Sequence, residues 1–257
     1  MCGISGLHFK QHATPITGAT LLATMSEKLA HRGPDGAGLQ WFEAASFGLA
    51  HRRLAIIDLS EAAAQPMQVA DRYWLSFNGE IYNYLELKEE LLALGATFKN
   101  ESDAEVLLQA FNYWGESCLN RLNGMYAFAI YDIQENTLFC ARDPYGVKPF
   151  YYLNNEAHFG FASEIKALLN IPSYQLIANK ATLLTFFGQR KIETTTEGFF
   201  KEIFELQPGY ILRYDFKIKQ LVTSRFFQAT TVAVKEAKNQ LKTELENAVK
   251  MRLRADV

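Results

Sequence analysis

Short runs of aromatic and β-branched residues recur through the first 165 residues, interleaved with two or three amphipathic helical patterns. That texture points to a core shared between strands and helices. The longest charge-free apolar stretches fall far short of the ~20 residues that a membrane helix needs. At roughly 150 residues per domain, a chain of 257 residues allows one large domain or two modest ones. A chain of this size buries on the order of 70% of its unfolded surface, so a core forms without disulfide or metal staples. With 49% hydrophobic and 21% charged residues it is not a disordered chain, and its net charge of −2 lacks the basic footprint of a dedicated nucleic-acid binder.

Cys2 to Phe9 reads as a buried strand. Leu21, Leu22, Met25 and Leu29 have helical spacing, ended near Gly33-Pro34. Ala50–Asp58 and Tyr73–Asn78 read as strands, and Leu85, Leu87, Leu91 and Leu94 mark a helix stopped by Gly95. Ser102-Asp103-Ala104-Glu105 is a capping box that opens a helix through Trp114. Met125–Asp132 pairs with Thr137–Arg142, Phe150–Leu153 with His158–Ala162, and Ser163–Leu169 is a short helix starting at its cap. From about Ile211 come two short strands, then Val234, Ala237, Leu241, Leu245 and Val249 on one amphipathic helix. This helix has little sequence left to pack against, so it either docks back on the domain or belongs to a continuation.

The three cysteines, Cys2, Cys118 and Cys140, have no CxxC spacing and fit neither a disulfide framework nor a zinc site. Without a secretory signal, a reducing cytoplasm is the expected compartment. Cys118 and Cys140 read as core fillers. The five histidines show no metal-ligand spacing, so no metal is expected.

Several positions combine residue types that chemistry can use. If Met1 is removed, the Cys2 thiol lies beside its own α-amine, whose reference pKa of about 7.7–8.0 leaves it partly neutral near pH 7. Nucleophile and base are then united in one residue; the bland reading is a small apolar residue at a strand start. His31-Arg32-Gly33-Pro34-Asp35-Gly36 is either a ligand-approaching loop or a polar turn between helix and strand. Arg53, before the apolar run Leu54-Ala55-Ile56-Ile57, has the planar fork that grips a carboxylate, though a strand-end Arg is often only a surface charge. Asn78 beside Gly79 offers two converging donors for an oxyanion, yet Asn-Gly is first a turn signal. Glu80 is placed to bind an ammonium group, and Asp103 sits in a first helical turn, where the helix dipole alone favours a carboxylate.

Taken in order, these pieces resemble the class II glutamine amidotransferases, whose N-terminal Cys is the nucleophile. Within them the chain is similar to the glutaminase portion of the glutamine-hydrolysing asparagine synthetases. The resemblance rests on Cys2-Gly3-Ile4, His31-Arg32-Gly33-Pro34-Asp35, Arg53-Leu54-Ala55-Ile56-Ile57-Asp58, Gln65-Pro66-Met67 and Asn78-Gly79-Glu80-Ile81-Tyr82-Asn83. It continues through Ser102-Asp103-Ala104-Glu105, Leu122-Asn123-Gly124-Met125, Arg142-Asp143-Pro144-Tyr145-Gly146-Val147-Lys148-Pro149 and Ala162-Ser163-Glu164-Ile165-Lys166. The acid at Glu80 and the Arg-Gly-Pro-Asp form of the early loop favour this subgroup. Ala62-Ala63-Ala64 departs from the family, which often has Gly-His there.

The resemblance implies an α+β fold, the four-layer αββα sandwich of N-terminal nucleophile hydrolases, with two mostly antiparallel sheets covered by helices. It implies a glutaminase domain over residues 1–216. Residues 217–257 would be a linker and the first helix of a synthetase domain, whose Ser-Gly-Gly-Leu-Asp-Ser phosphate loop does not occur here. It implies Cys2 as nucleophile, Asn78 and Gly79 as the oxyanion hole, and Arg53 with Glu80 and Asp103 gripping the two charges of glutamine. Leu54, Ala55, Ile56 and Ile57 would frame the pocket through backbone groups. No cofactor is expected for this half; ATP and Mg2+ would belong to the synthetase domain, joined in cis. Neither nucleic acid nor membrane is an expected partner, and a homodimer is allowed. The competing readings are a glutaminase with another acceptor, a non-catalytic glutamine-binding fragment, and a hydrolase of a different amide.

Overall fold

A computed structural model describes residues 1–11, 15–172, 174–190, 198–229 and 234–256. The elements follow in the order β1 (Gly3–Phe9), α1 (Pro15–Glu27), β2 (Gly36–Phe42), β3 (Phe47–Arg53), β4 (Met67–Val69), β5 (Tyr73–Ile81), α2 (Tyr84–Ala93), α3 (Asp103–Trp114), β6 (Gly124–Asp132) and β7 (Thr137–Arg142). Then come β8 (Tyr151–Asn154), β9 (His158–Ala162), α4 (Ile165–Leu168), α5 (Lys180–Gln189), β10 (Ile203–Glu205), β11 (Tyr210–Asp215), β12 (Gln220–Arg225) and α6 (Val234–Arg252).

Strand alternation builds the layers. Along β6, Tyr126, Phe128 and Ile130 face one core while Ala127, Ala129 and Tyr131 face another, as a period of two requires. One sheet has the order β10-β8-β9-β1-β3-β2 and the other β12-β11-β7-β6-β5-β4, with antiparallel pairing throughout. Between the sheets lies a layer containing Ile4, Phe47, Leu49, Phe159, Phe161, Leu212 and Tyr214. Leu22, Met25 and Leu29 pack on the first sheet, and Leu87 and Leu91 of α2 with Val106, Leu107 and Ala110 of α3 pack on the second. Three apolar layers separate four structural ones, so the αββα sandwich is present. Polar side chains also cross the central layer, where His8 Nδ1 lies 3.0 Å from the Tyr214 hydroxyl. Ser76 Oγ donates to the Ala50 carbonyl at 3.0 Å, and His51 Nε2 lies 3.0 Å from the Phe77 carbonyl. Burial holds His51 down to about 4, so its neutral ring donates that bond.

Several elements depart from their sequence expectation. The strand expected over Ala50–Asp58 ends at Arg53, because the sheet pairing of β3 with β1 and β2 stops there. β5 runs through Asn78-Gly79 to Ile81 instead of turning, since β6 supplies partners over its whole length. The helix expected from Leu21 to Leu29 runs from Pro15 to Glu27. Ser163 does not cap α4; its hydroxyl accepts the Ile4 N–H at 3.0 Å while its own N–H donates to the Ile4 carbonyl at 2.9 Å, pinning the start of β1. β12 pairs with β11 from Gln220 to Arg225, so the second sheet continues through the expected boundary at residues 216–217. β2, β4, α5 and β10 have no counterpart in the sequence reading. Among the described residues no helix is long and apolar enough to cross a membrane.

The Arg142–Pro149 segment folds around its own charges. Arg142, buried, donates to the carbonyls of Lys148, Gly146 and Leu206 and pairs with Glu205 at 2.8 Å. Asp143, fully buried, accepts N–H groups from Tyr126, Tyr145, Val147 and Lys148. Removing that carboxylate leaves several donors unpaired at about 1–3 kcal/mol each. Asp143→Ala is therefore expected to lower urea-unfolding stability by about 3 kcal/mol or more, whereas Ile218→Ala, at an exposed position, stays within about 0.5 kcal/mol. Equal losses in the two variants would contradict this account of the loop.

Candidate active site

The ends of strands from both sheets meet at one recess, lined by Cys2, Arg53, Leu54, Ile56, Ile57, Asn78, Gly79, Glu80, Asp103 and Lys148 among others. Ala55 is not on its wall; its N–H is directed to Asp35 Oδ2 at 2.9 Å.

Cys2 stands just before β1, a strand flanked by β9 and β3 in the middle of the first sheet. Arg32 Nε donates to the Cys2 carbonyl at 2.9 Å. The Cys2 thiol lies 3.6 Å from the Leu54 carbonyl as donor and receives the Leu54 N–H at 3.4 Å. Burial raises its pKa, against the Leu54 hydrogen bond and the nearby leading amine, so the resting group is a thiol that needs a base. The leading α-amine, here that of Met1, is held below its ordinary value, chiefly by burial and further by Arg32 and Lys148, while the Cys2 charge opposes the shift. The surroundings of the Met1 amine therefore favour its neutral form.

Across the recess, Asn78 is fully buried on β5, and neither its amide nitrogen nor its amide oxygen has a partner. An orphaned buried amide costs about 1–3 kcal/mol, and its place in the same recess as Cys2 suits it to donate to an acceptor there. Gly79 follows because a Cβ there would lie 2.4 Å from the Met125 carbonyl oxygen of the adjacent strand. Only a glycine lets β6 pass this close.

The charged groups divide between two sides. Arg53 closes β3; its guanidinium donates to the Ser60 carbonyl at 2.7 Å and to the Asp58 carbonyl. Five N–H donors leave capacity for a carboxylate besides these two bonds. Asp103 opens α3 after Ser102, whose hydroxyl caps the helix by accepting the Glu105 N–H at 3.2 Å. At 7% exposure its carboxyl is pushed up to about 7 by burial, with Glu80 adding to the rise and the Ile81 N–H, at 2.9 Å, opposing it. Burial also raises Glu80, against the pull of Lys148 and Arg252. Two adjacent carboxylates held reluctant to ionise form a pocket suited to a cation.

Lys148 lines this recess and Arg32 holds the Cys2 carbonyl, although the sequence reading quoted them only as motif members. Lys148 is 5% exposed, and burial lowers its pKa. The signal available for it was a lysine inside a segment with neither helical nor strand periodicity. Arg32 Nη2 is buried without a partner while Nη1 pairs with Glu164 at 3.0 Å.

Comparison with known proteins agrees with this geometry. A family profile described as a glutamine amidotransferase domain matches residues 1–227. Asparagine synthetase [glutamine-hydrolyzing] 3 of Bacillus subtilis is 39% identical over 83% of this chain and 35% of its own length. Asparagine synthetase [glutamine-hydrolyzing] 1 of the same organism is 35% identical over 100% of this chain and 41% of its own length. A putative asparagine synthetase [glutamine-hydrolyzing] 2 of Methanocaldococcus jannaschii is 34% identical, again over 100% of this chain and 53% of its own length. The chain thus spans about a third to a half of these relatives. In fold it is similar to the glutamine phosphoribosylpyrophosphate amidotransferase of B. subtilis, with a TM-score of 0.62 at 22% identity over 89% of this chain and 50% of that one. Its two antiparallel sheets and flanking helices are the fold of that solved structure. Profile and relatives together place this chain in the class II glutamine amidotransferase domain family, as a homologue of asparagine synthetase glutaminase domains.

Proposed function

We propose that this chain hydrolyses glutamine to glutamate and ammonia through a thioester on Cys2. The observation that carries the reading is the pairing, in one recess, of the Cys2 thiol with the buried, unpartnered Asn78 amide. Once Met1 is removed, the α-amine of Cys2 takes the thiol proton as sulfur attacks the side-chain carboxamide carbon, then gives that proton to the departing ammonia. Asn78 Nδ2 and the Gly79 N–H hold the tetrahedral oxyanion, a contribution of about 3–4 kcal/mol per donor in comparable sites. Arg53 holds the α-carboxylate, and Glu80 with Asp103 holds the α-ammonium. Water then cleaves the thioester, releasing glutamate and restoring the thiol.

The names of the relatives support asparagine synthesis as the destination of the ammonia, in an ATP- and Mg2+-dependent synthetase region joined in cis. The chain after β12, with α6, would lead into that region. The open apolar positions Leu241, Leu245 and Val249 of α6 fit a helix covered by further structure in such a protein. Unpaired Cys2, Cys118 and Cys140 fit a reducing compartment such as the cytoplasm.

The nucleophile is tested by Cys2→Ala, which is expected to abolish glutamate formation from glutamine with the thermal transition retained. Intact mass should show loss of one methionine residue; retention of Met1 in active protein would defeat the base assignment. Arg53→Ala is expected to raise KM for glutamine about 10- to 100-fold, the equivalent of losing charge-assisted hydrogen bonds of about 1.5–3 kcal/mol.

The pH dependence follows from Asp103. Its carboxyl, at about 7 in the empty site, is neutral at lower pH, and a neutral carboxyl does not attract an ammonium. Glutamine binding to the inactive Cys2→Ala variant is expected to weaken below pH 7 by up to about tenfold per pH unit. Asp103→Asn should bind weakly at every pH, without that slope. A dissociation constant that stays flat from pH 8 to pH 5.5 in the Asp103 protein would refute the ammonium assignment.

A further inference from the structure

After β3 the chain leaves the sheet and turns at Asp58, which adopts a left-handed backbone with φ 52°. Every polar group of Asp58 is engaged. Oδ1 accepts the Ser60 N–H at 2.9 Å and the Ser60 hydroxyl at 2.6 Å, and Oδ2 accepts the Glu101 N–H at 2.8 Å. Its carbonyl accepts from Arg53, and its own N–H donates to Asp256 Oδ2 at 2.8 Å. Against burial, which alone would raise it, the bonds from Ser60 and Glu101 keep the Asp58 carboxyl below its usual range. One residue thus ties the arginine of the carboxylate side to the turn immediately before Asp103 on the ammonium side.

The segment from Arg252 to Asp256 closes this arrangement from outside. The Asp256 N–H donates to the Ile56 carbonyl at 3.0 Å, so Asp256 bridges residues 56 and 58 with two bonds. Two residues earlier, Arg254 donates to the Tyr82 carbonyl at 2.9 Å and forks onto both Glu86 oxygens at 2.7 and 2.6 Å. The Arg252 guanidinium lies 4.5 Å from the centre of the Tyr82 ring. Tyr82 follows directly on the Asn78–Ile81 end of β5. The segment therefore joins the loop that carries Ile56 and Ile57 to Tyr82 and Glu86, just beyond the end of the strand that carries Asn78 and Glu80.

We infer that Arg254 and Asp256 are positioning residues for the amino-acid site, holding the Arg53 loop at a fixed separation from Glu80 and Asp103. The inference rests on the glutaminase reading above. Surface bonds of this kind add little to global stability. They act on local geometry, and displacing a binding group by about 1 Å can cost up to a hundredfold in efficiency. Loss of the tie should thus appear in substrate affinity and loop dynamics while the fold persists.

The test uses the full chain with Asp256→Ala, Asp256→Asn and Arg254→Ala, read by glutamine kinetics and by hydrogen exchange of the amides at residues 56–60. Asp256→Ala and Arg254→Ala are expected to raise KM for glutamine about tenfold, with kcat within about twofold and the melting temperature nearly unchanged. Asp256→Asn, whose side-chain carbonyl still accepts the Asp58 N–H, should keep KM and exchange near the parent values. Exchange at Asp58 should quicken in Asp256→Ala alone of the two Asp256 variants. An active parent with unchanged KM in both alanine variants overturns the positioning role, as does failure of Asn to restore it. A parent that forms no glutamate overturns the glutaminase reading instead. Unaltered Asp58 exchange in Asp256→Ala then rejects the tie independently of any turnover.

Discussion

Two of the hydrogen bonds that cross the central apolar layer, Ser76 to the Ala50 carbonyl and His51 to the Phe77 carbonyl, set the spacing on which the active site depends. Apolar packing between two sheets is non-directional and would tolerate sliding. A buried polar group that must find a specific partner does not, because leaving it unmade costs a kcal/mol or more. These two bonds join β3 to β5, the strands that end at Arg53 and carry Asn78, and β1 lies beside β3. Thiol, guanidinium and amide are consequently held by a single rigid unit, although they come from distant parts of the chain.

Within that frame the site is electrostatically unfinished. Asn78 has an unpartnered amide, Glu80 and Asp103 are pushed towards their neutral forms, and Lys148 is pushed away from its charge. Each departure costs stability that the Arg142–Asp143 loop and the close-packed layers offset elsewhere. In the proposed reaction a zwitterion with a carbonyl to polarise would answer these needs together: its ammonium would stabilise the two carboxylates and its developing oxyanion would accept from Asn78. Local rules break where ligand chemistry requires it and hold in the surrounding core.

How much was legible in the sequence varied with the range of the interaction responsible. The Ser102 cap of α3 and the stop at Gly95 appear where expected, since both depend on neighbouring residues and, for Gly95, on a φ of 93°. The reciprocal half of the capping box does not form, because the Glu105 carboxylate accepts from Lys99 and Asn100 and the Ser102 N–H goes to Asn100 Oδ1. Asn78-Gly79 reads locally as a turn, but nine residues of pairing with β6 keep it extended. Leu54-Ala55-Ile56-Ile57 reads locally as strand, but sheet pairing ends at Arg53 and the run becomes a loop wall. Of that run, Leu54, Ile56 and Ile57 reach the recess while Ala55 is held away by Asp35. Lys148 had no periodic signature because a knot of hydrogen bonds to Asp143 places it.

The sequence by itself determined the family, the mixed strand-and-helix class and the residue types of the chemistry, because ordered motifs and short-range spacing are written directly in the chain. Tertiary structure alone decided which of those residues share a recess, that Asn78 is left without a partner, that Asp103 is desolvated enough to titrate near neutrality, and that Asp256 reaches back to Asp58. Each of these depends on contacts between segments far apart in sequence, where burial removes water and sets the local electrostatics.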